Sequence, residues 1–326
     1  MQRDHNLPEW QVKMNDLGAS RTPFLFILDF ELEKPLVIPI HELGNTIWYQ
    51  LGAWSKHPKA PRNDKPLQFI PHPITLETYR EAFEKAIKEI QYGNTFLLNL
   101  TCPTPVYSNY SLEEIFHAAK ARYKLFIQDE CVVFSPEPFV TIRDGKIKTF
   151  PMKGTIDADI PDANNILLAD PKETAEHYTI VDLLRNDLSI ISKKVDVTRF
   201  RYLDLLQTSR GNLYQMSSEI EGILPLNYVE QLGNIFSALL PAGSISGAPK
   251  KKTVEIIQQC ESGKRGYYTG VFGIFDGQSV ESAVMIRYIE MKDGQLTYRS
   301  GCGITFMSTC ESEYHEMIAK VYVPTG

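Results

Sequence analysis

Val271-Phe272-Gly273-Ile274-Phe275-Asp276-Gly277, then Ala283 to Glu290, then Lys292-Asp293-Gly294 and Leu296 to Arg299, is the stretch whose reading decides the fold class. Aromatic and β-branched residues fill each run, and Asp-Gly pairs, the turn chemistry of neighbouring antiparallel strands, separate them. Three antiparallel strands are expected: Val271 to Phe275, Ala283 to Glu290 and Leu296 to Arg299. Far upstream, Phe24 to Phe30 and Leu36 to Ile40 flank the turn Glu33-Lys34-Pro35 and read as a further hairpin of apolar strands.

Helices lie between these strands. From Leu76 to Gln91, Tyr79, Phe83, Ala86, Ile87 and Ile90 keep the helical period, Glu81/Lys85 and Glu84/Lys88 line the wet face, and Gly93 ends the run. Ser111 with Glu114 makes a capping box for a second helix, expected to run through about residue 124. Cys131 to Phe134 then reads as a buried strand leading into Ser135-Pro136-Glu137. Pro58, Pro61, Pro66, Pro71 and Pro73 mark a long surface connection, and no fixed-period repeat is present.

With 326 residues, 43% hydrophobic and 23% charged, the chain can bury a large core. A net charge of -6, with Lys250 to Lys252 as its densest basic run, leaves no electrostatic footprint for nucleic acid. The start, Met1 to Trp10, is polar, and no stretch reaches the roughly 18 apolar residues of a membrane span, so a cytoplasmic protein without a membrane partner is expected. Cys102, Cys131, Cys260, Cys302 and Cys310 are scattered and odd in number, which reads as reduced thiols rather than a disulfide or zinc framework.

Two acidic pairs carry chemical potential. Glu173 and Glu176 in one segment, and Glu313, Glu316 and Lys320 in another, fall on one face of their respective helices, because residues three apart rise by about 4.5 Å and point the same way. Four carboxylates suit a hard cation such as Mg2+, which keeps several waters and takes one or two protein carboxylates directly. The same spacing also makes ordinary solvated faces with weak ion pairs. Gly243-Ser244-Ile245-Ser246-Gly247-Ala248-Pro249-Lys250 opens a helix holding Thr253 to Ile257, whose first amides can face an anion, and it lacks the Lys-Ser/Thr pair of a Walker loop.

Taken together, these segments resemble the chorismate-utilising enzymes, the family of anthranilate, aminodeoxychorismate, isochorismate and salicylate synthases. Seven blocks stand in family order: Ser135-Pro136-Glu137; Pro151-Met152-Lys153-Gly154-Thr155; Glu173 and Glu176-His177 leading into 181–188; 243–250; Arg265-Gly266-Tyr267-Tyr268-Thr269-Gly270; Ile286-Arg287; and Gly301-Cys302-Gly303-Ile304 with Glu313, Glu316 and Lys320. The resemblance implies an α+β fold of four layers, α/β/β/α, with two packed, mainly antiparallel sheets. It covers the chain from about Leu76, and implies one catalytic domain over 1–326 in which 1–73 is a shortened portion that adds strands.

It also implies roles. Glu176 and Glu316 would ligate Mg2+, with Glu173 and Glu313 ordering its waters. Tyr268 and Arg287 would grip the enolpyruvyl carboxylate of chorismate, with Ser246, Gly301, Gly303 and Lys320 also lining the substrate. Glu137 would be the general acid that helps the C4 hydroxyl leave, which needs a raised pKa. Lys153 separates the activities, since aminodeoxychorismate-forming members carry lysine in this block where anthranilate synthases carry alanine. A lysine that loses its proton in a desolvated pocket can attack C2 and form an adduct that ammonia resolves at C4.

The expected activity is therefore amination of chorismate to 4-amino-4-deoxychorismate, the precursor of 4-aminobenzoate in folate synthesis, with ammonia supplied by a separate glutamine amidotransferase subunit. Anthranilate synthase component I, and a catalytically idle relative that scaffolds a glutaminase, are the alternatives. Two positions depart from the pattern. Leu97 stands where aminating members have glutamine and water-adding members have a water-activating lysine, and leucine cannot be that base. Gln215 stands where histidine is usual and cannot carry a proton at neutral pH. Nothing before Leu76 matches the tryptophan-binding Leu-Leu-Glu-Ser segment, so feedback inhibition by tryptophan is not expected.

Overall fold

The computed structural model describes residues 7–60, 65–208 and 211–325, apart from the side chains of 207 and 208. The polar start, Met1 to Asn6, and Pro61 of the proline-rich connection lie outside the described residues. Strands Phe24–Leu28, Cys131–Ser135 and Val271–Phe275 are buried along their whole length, because each is covered on both faces. Two helix layers enclose two sheets, and the pleat decides which layer each side chain meets. Phe24, Phe26 and Leu28 join Trp10, Met14, Ile180, Leu184 and Phe236 on the outer side of one sheet. Leu25 and Ile27, alternating with them, pack with Tyr49, Leu125, Val133, Phe272 and Ile274 between the sheets. Beyond the second sheet, Leu98, Leu100, Cys302 and Ile304 meet Tyr79, Phe83, Ile256 and Met317 from three helices.

Each sheet has nine strands among the described residues, and every recorded pairing is antiparallel. The first runs Met152–Asp157, Gly211–Ile223, Lys146–Thr149, Pro138–Arg143, Val280–Val284, Val271–Phe275, Phe24–Leu28, Leu36–Pro39, with Lys194–Thr208 paired on Gly211–Ile223. The second runs Gly247–Ala248, Leu97–Ser108, Gln295–Ile304, Tyr288–Lys292, Cys131–Ser135, Tyr123–Ile127, Ile47–Leu51, Trp54–Lys56, with Phe69–Pro71 paired on Leu97–Ser108. This is the four-layer α/β/β/α arrangement.

Two local readings need correction. The expected strand Ala283 to Glu290 is two strands: Val280–Val284 in the first sheet and Tyr288–Lys292 in the second. Between them Arg287 takes a left-handed backbone, φ 54°, which no strand can continue through. The second helix is Leu112–Ala118 and stops short of residue 124. Ala119 turns extended, and Lys124 lies within the buried strand Tyr123–Ile127, from which its ammonium donates to the Phe116 and Ala119 carbonyls at 3.1 and 3.3 Å. The helix Leu76–Gln91 has the expected bounds, with Thr75 Oγ1 accepting from the Thr78 amide.

The crossing at Arg287 lies beside another. Ser135-Pro136-Glu137 carries the chain from the second sheet, at Cys131–Ser135, into the first, at Pro138–Arg143. The two crossings are stitched together: the Val284 amide donates to the Glu137 carbonyl at 3.1 Å, and the Phe134 amide to the Arg287 carbonyl at 3.0 Å. Glu137 and Arg287 are thereby fixed at the seam between the sheets. All five cysteines are free and buried, and among the described residues no helix is long and apolar enough to cross a membrane.

Candidate active site

One cavity of about 1560 Å³ opens at this seam, above the roughly 300–1,000 Å³ usual for a small-molecule site. Glu137, Lys153, Glu173, Glu176, Ser246, Tyr268, Arg287, Gly301, Gly303, Glu313, Glu316 and Lys320, the expected site residues from distant blocks, all line it. Two helices bring the carboxylates: Pro171–Ile191 carries Glu173 and Glu176, and Cys310–Ala319 carries Glu313 and Glu316. Lys320 caps the second helix.

Lysines pair with two of the acids, and Lys172, on the helix of Glu176, adds a looser contact to Glu176 at 3.9 Å. Lys153, at the start of Met152–Asp157, donates from Nζ to Glu176 Oε2 at 2.8 Å, and Lys320 pairs with Glu316 Oε1 at 2.8 Å while donating to the Gly301 carbonyl at 2.9 Å. The other two carboxylates carry the strain. Burial and the neighbouring Glu176 charge push Glu173 up; Glu313, 5% exposed, is pushed up by burial and by Glu316 and Glu176. Burial would raise Glu316 as well, but Lys320 and Lys153 outweigh it and bring the group down.

Such an acidic cluster, with hard oxygen donors on two facing helices and more negative charge than its lysines cancel, fits a divalent cation that prefers oxygen. Cys302 Sγ and the carboxylates of Glu313 and Glu316 lie within 4.8 Å of one another. The thiol donates a hydrogen bond to the Glu313 carbonyl at 3.4 Å, and burial pushes its pKa to about 12 in the metal-free site.

Lys153 differs from its expected state. Burial pulls its pKa down, but the Glu176 charge and hydrogen bond, with Glu173 and Glu316, outweigh burial and hold the amine protonated. Its position suits a nucleophile nonetheless. A Cβ added to Gly303 would stand 3.6 Å from Lys153 Nζ and 3.3 Å from Leu97 Cδ1, so the glycine keeps clear the space that the amine faces. Leu97, buried, closes that space with an apolar wall. Gln215 also lines the cavity, on the strand opposite Thr155.

Glu137 matches its expectation of a raised pKa. Burial pushes it up against the opposing effects of a hydrogen bond from Ser244 Oγ, at 2.7 Å, and of the Lys153 and Lys320 charges. Ser244 is not legible as this partner in sequence, because its block points to backbone amides and not to its hydroxyl. The segment leads, as expected, into a helix that holds Thr253 to Ile257, Lys250–Cys260, after a single turn at Gly243–Ser246; Ser246 Oγ donates to the Ala242 carbonyl at 2.8 Å, and Lys250 pairs with Asp187 at 2.9 Å. Arg287 donates from Nη1 to the Lys320 carbonyl at 2.7 Å and lies over the Tyr322 ring, while Tyr268 is buried at the cavity wall. His177, next to Glu176 in its block, faces away from the acids. Its Nε2 lies 2.7 Å from Ser218 Oγ, and burial with the Arg201 charge presses its pKa down to about 4.

Comparison with known proteins places this cavity in a family. Residues 30–326 match the chorismate binding enzymes. The chain belongs to the chorismate binding enzyme family. A Haemophilus influenzae relative named "Uncharacterized PabA-like protein" is 51% identical over 95% of this chain and 94% of its own length. Aminodeoxychorismate synthase component 1 of Bacillus subtilis is 29% identical over 77% of this chain, which spans 55% of that relative. Among solved structures, anthranilate synthase component I of Streptococcus pneumoniae superposes with TM-score 0.67 at 29% identity, covering 78% of this chain and 59% of that one. As a chorismate binding enzyme, the chain gathers its family blocks from both sheets and two helices onto one wall-to-wall surface, and that surface includes both departures, Leu97 and Gln215.

Proposed function

We propose that this chain aminates chorismate to 4-amino-4-deoxychorismate, with Lys153 as a covalent nucleophile and Glu137 as general acid. The observation that carries the reading is the Lys153 amine, placed beside Glu176 and facing the clear space at Gly303 within the cavity that holds both acidic pairs. An anthranilate-forming site has no use for a nucleophilic amine there.

Glu176 and Glu316, with Glu173 and Glu313 behind them, would hold Mg2+. When bound, the ion would neutralise the carboxylates and fasten the ring carboxylate of chorismate. With those charges cancelled, burial would favour the neutral amine at Lys153, the ammonium proton passing to solvent. The amine adds to C2, the ring double bonds shift towards C4, and the C4 hydroxyl leaves as water with the proton of Glu137. Ammonia adds at C4, the double bonds shift back, the bond from C2 to Lys153 breaks, and the new C4 ammonium returns a proton to Glu137. Both side chains end as they began. Leu97, apolar beside the amine, offers water no base. Ammonia comes free or from a separate glutamine amidotransferase subunit, a partner that the PabA-like name of the Haemophilus relative supports.

Purified chain with chorismate, Mg2+ and an ammonium salt tests this. The expected product is one that a lyase converts to 4-aminobenzoate. Fluorescent anthranilate overturns the reading in favour of anthranilate synthesis, and no turnover at all leaves the idle, scaffolding relative.

A further inference from the structure

Arg299 holds a buried positive charge with two hydrogen-bond donors left unsatisfied. The residue is 7% exposed, and its Nε and Nη1 are buried with no hydrogen-bond partner. Its ion-pair partner, Glu290, holds Oε1 3.7 Å from Nε, close enough for charge attraction but beyond hydrogen-bond range, while Glu290 Oε2 accepts from the Tyr288 hydroxyl at 3.3 Å. Each such orphaned donor is costly to bury, and more so on a charged group. Arg265, another buried guanidinium, shows how the fold treats a structural arginine. It donates to Glu261 at 2.9 and 2.6 Å, to the Ile245 and Asn99 carbonyls at 3.0 and 2.6 Å, and to Thr269 Oγ1 at 3.3 Å.

The position of Arg299 points its chemistry at a ligand. It lines the cavity, on the strand Gln295–Ile304, two and four residues before Gly301 and Gly303 and so on the same face of the pleat. Its charge acts on the neighbouring Tyr268 hydroxyl. Arg287, the arginine expected to grip the enolpyruvyl carboxylate, already gives Nη1 to the Lys320 carbonyl and lies against Tyr322.

We propose that Arg299 grips the enolpyruvyl carboxylate of chorismate beside Tyr268, so that this pocket selects its dicarboxylate substrate with a second arginine. The inference rests on the reading of the cavity as a chorismate site, and not on which nitrogen chemistry follows. A guanidinium with free donors can hold a carboxylate through charge-assisted, paired hydrogen bonds, and a lysine or glutamine in its place cannot reproduce the fork.

The test is chorismate binding by calorimetry, in the presence of Mg2+ and without ammonia, for the native chain, Arg299→Gln and Arg299→Lys. Expected are a loss of affinity of about 10- to 100-fold for the glutamine variant and a partial recovery for lysine, with Mg2+ affinity and melting temperature unchanged. Chorismate affinity equal to the native value overturns the inference. So does a parallel loss of Mg2+ and chorismate binding, which marks a merely structural arginine. If the glutamine variant fails to fold, the lysine variant decides by the same criteria. A native chain that binds no chorismate would fail differently, by removing the chorismate reading beneath it.

Discussion

Replacing Lys153 by methionine separates its place as counterion in the free protein from the nucleophilic role proposed for it. Methionine keeps much of the side chain's bulk and removes the charge. At 2.8 Å and an effective dielectric near 20, Lys153 and Glu176 attract by about 6 kcal/mol before the cost of burying both charges is set against it. The net contribution falls in the range of a hydrogen bond to a charged group, about 1.5–3 kcal/mol. Any cation that binds Glu176 must displace the ammonium and forfeit that interaction. Lys153→Met is therefore expected to bind Mg2+ about tenfold more tightly or better, by calorimetry, while amination of chorismate falls at least about tenfold and no covalent adduct is seen by intact-protein mass spectrometry. Unchanged turnover would remove the lysine from the mechanism. Equal or weaker Mg2+ binding would refute the argument that the amine and the ion compete for one carboxylate.

Glu137→Gln should lower kcat by about 10²- to 10⁴-fold, and the fall of rate with rising pH that follows loss of the Glu137 proton should vanish from its pH profile; a retained alkaline limb would reassign the acid. His177 is neutral when folded, with a pKa near 4 against 6.5 unfolded, so its contribution is present above pH 6.5 and is lost as pH falls towards 4, by up to about 3 kcal/mol. Melting curves of His177→Asn should lack that part of the acid slope, and an identical slope would refute the assignment. Gly303→Ala places its methyl 3.3 Å from Leu97 Cδ1 and 3.6 Å from Lys153 Nζ, tolerable for folding but intrusive for substrate, so KM for chorismate should rise with little change in Tm. Gly301→Ala drives its methyl to 2.5 Å from the Leu100 carbonyl and should lower Tm clearly; the reverse ranking would refute this division of the strand.

What the sequence disclosed depended on how local the deciding interaction was. The helix Leu76–Gln91 was legible to the residue because its caps and its stripe lie within one segment. The break at Arg287 was not, since both halves of 283–290 are apolar and β-prone, and what separates them is membership of two different sheets. The helix after Ser111 had a readable start, whereas its end is satisfied by Lys124 reaching back from a strand. At the site, the ordered blocks named the residues that one cavity gathers. Their order does not reveal that Lys153 rests on Glu176, that Ser244 holds Glu137, or that Arg299 has donors to spare, because each of these is a distance between segments remote in the chain.

The two lysine pairs give the free site its logic. Four carboxylates facing one another across two helices would repel, and Glu173 and Glu313 are pushed up chiefly by burial, with the neighbouring carboxylate charges adding to it. Lys153 and Lys320 relieve the repulsion from opposite sides, one on a strand of the first sheet and one at a helix end packed on the second. The same contact that stabilises the free site also holds the Lys153 amine protonated and therefore unreactive. On the proposed mechanism, an amine under that restraint would become a nucleophile only after another positive charge had taken over its partner. The proposed chemistry thus acquires an order that requires no moving lid: cation and dicarboxylate first, then the lysine, so that the amine is released only when a substrate is in place to receive it.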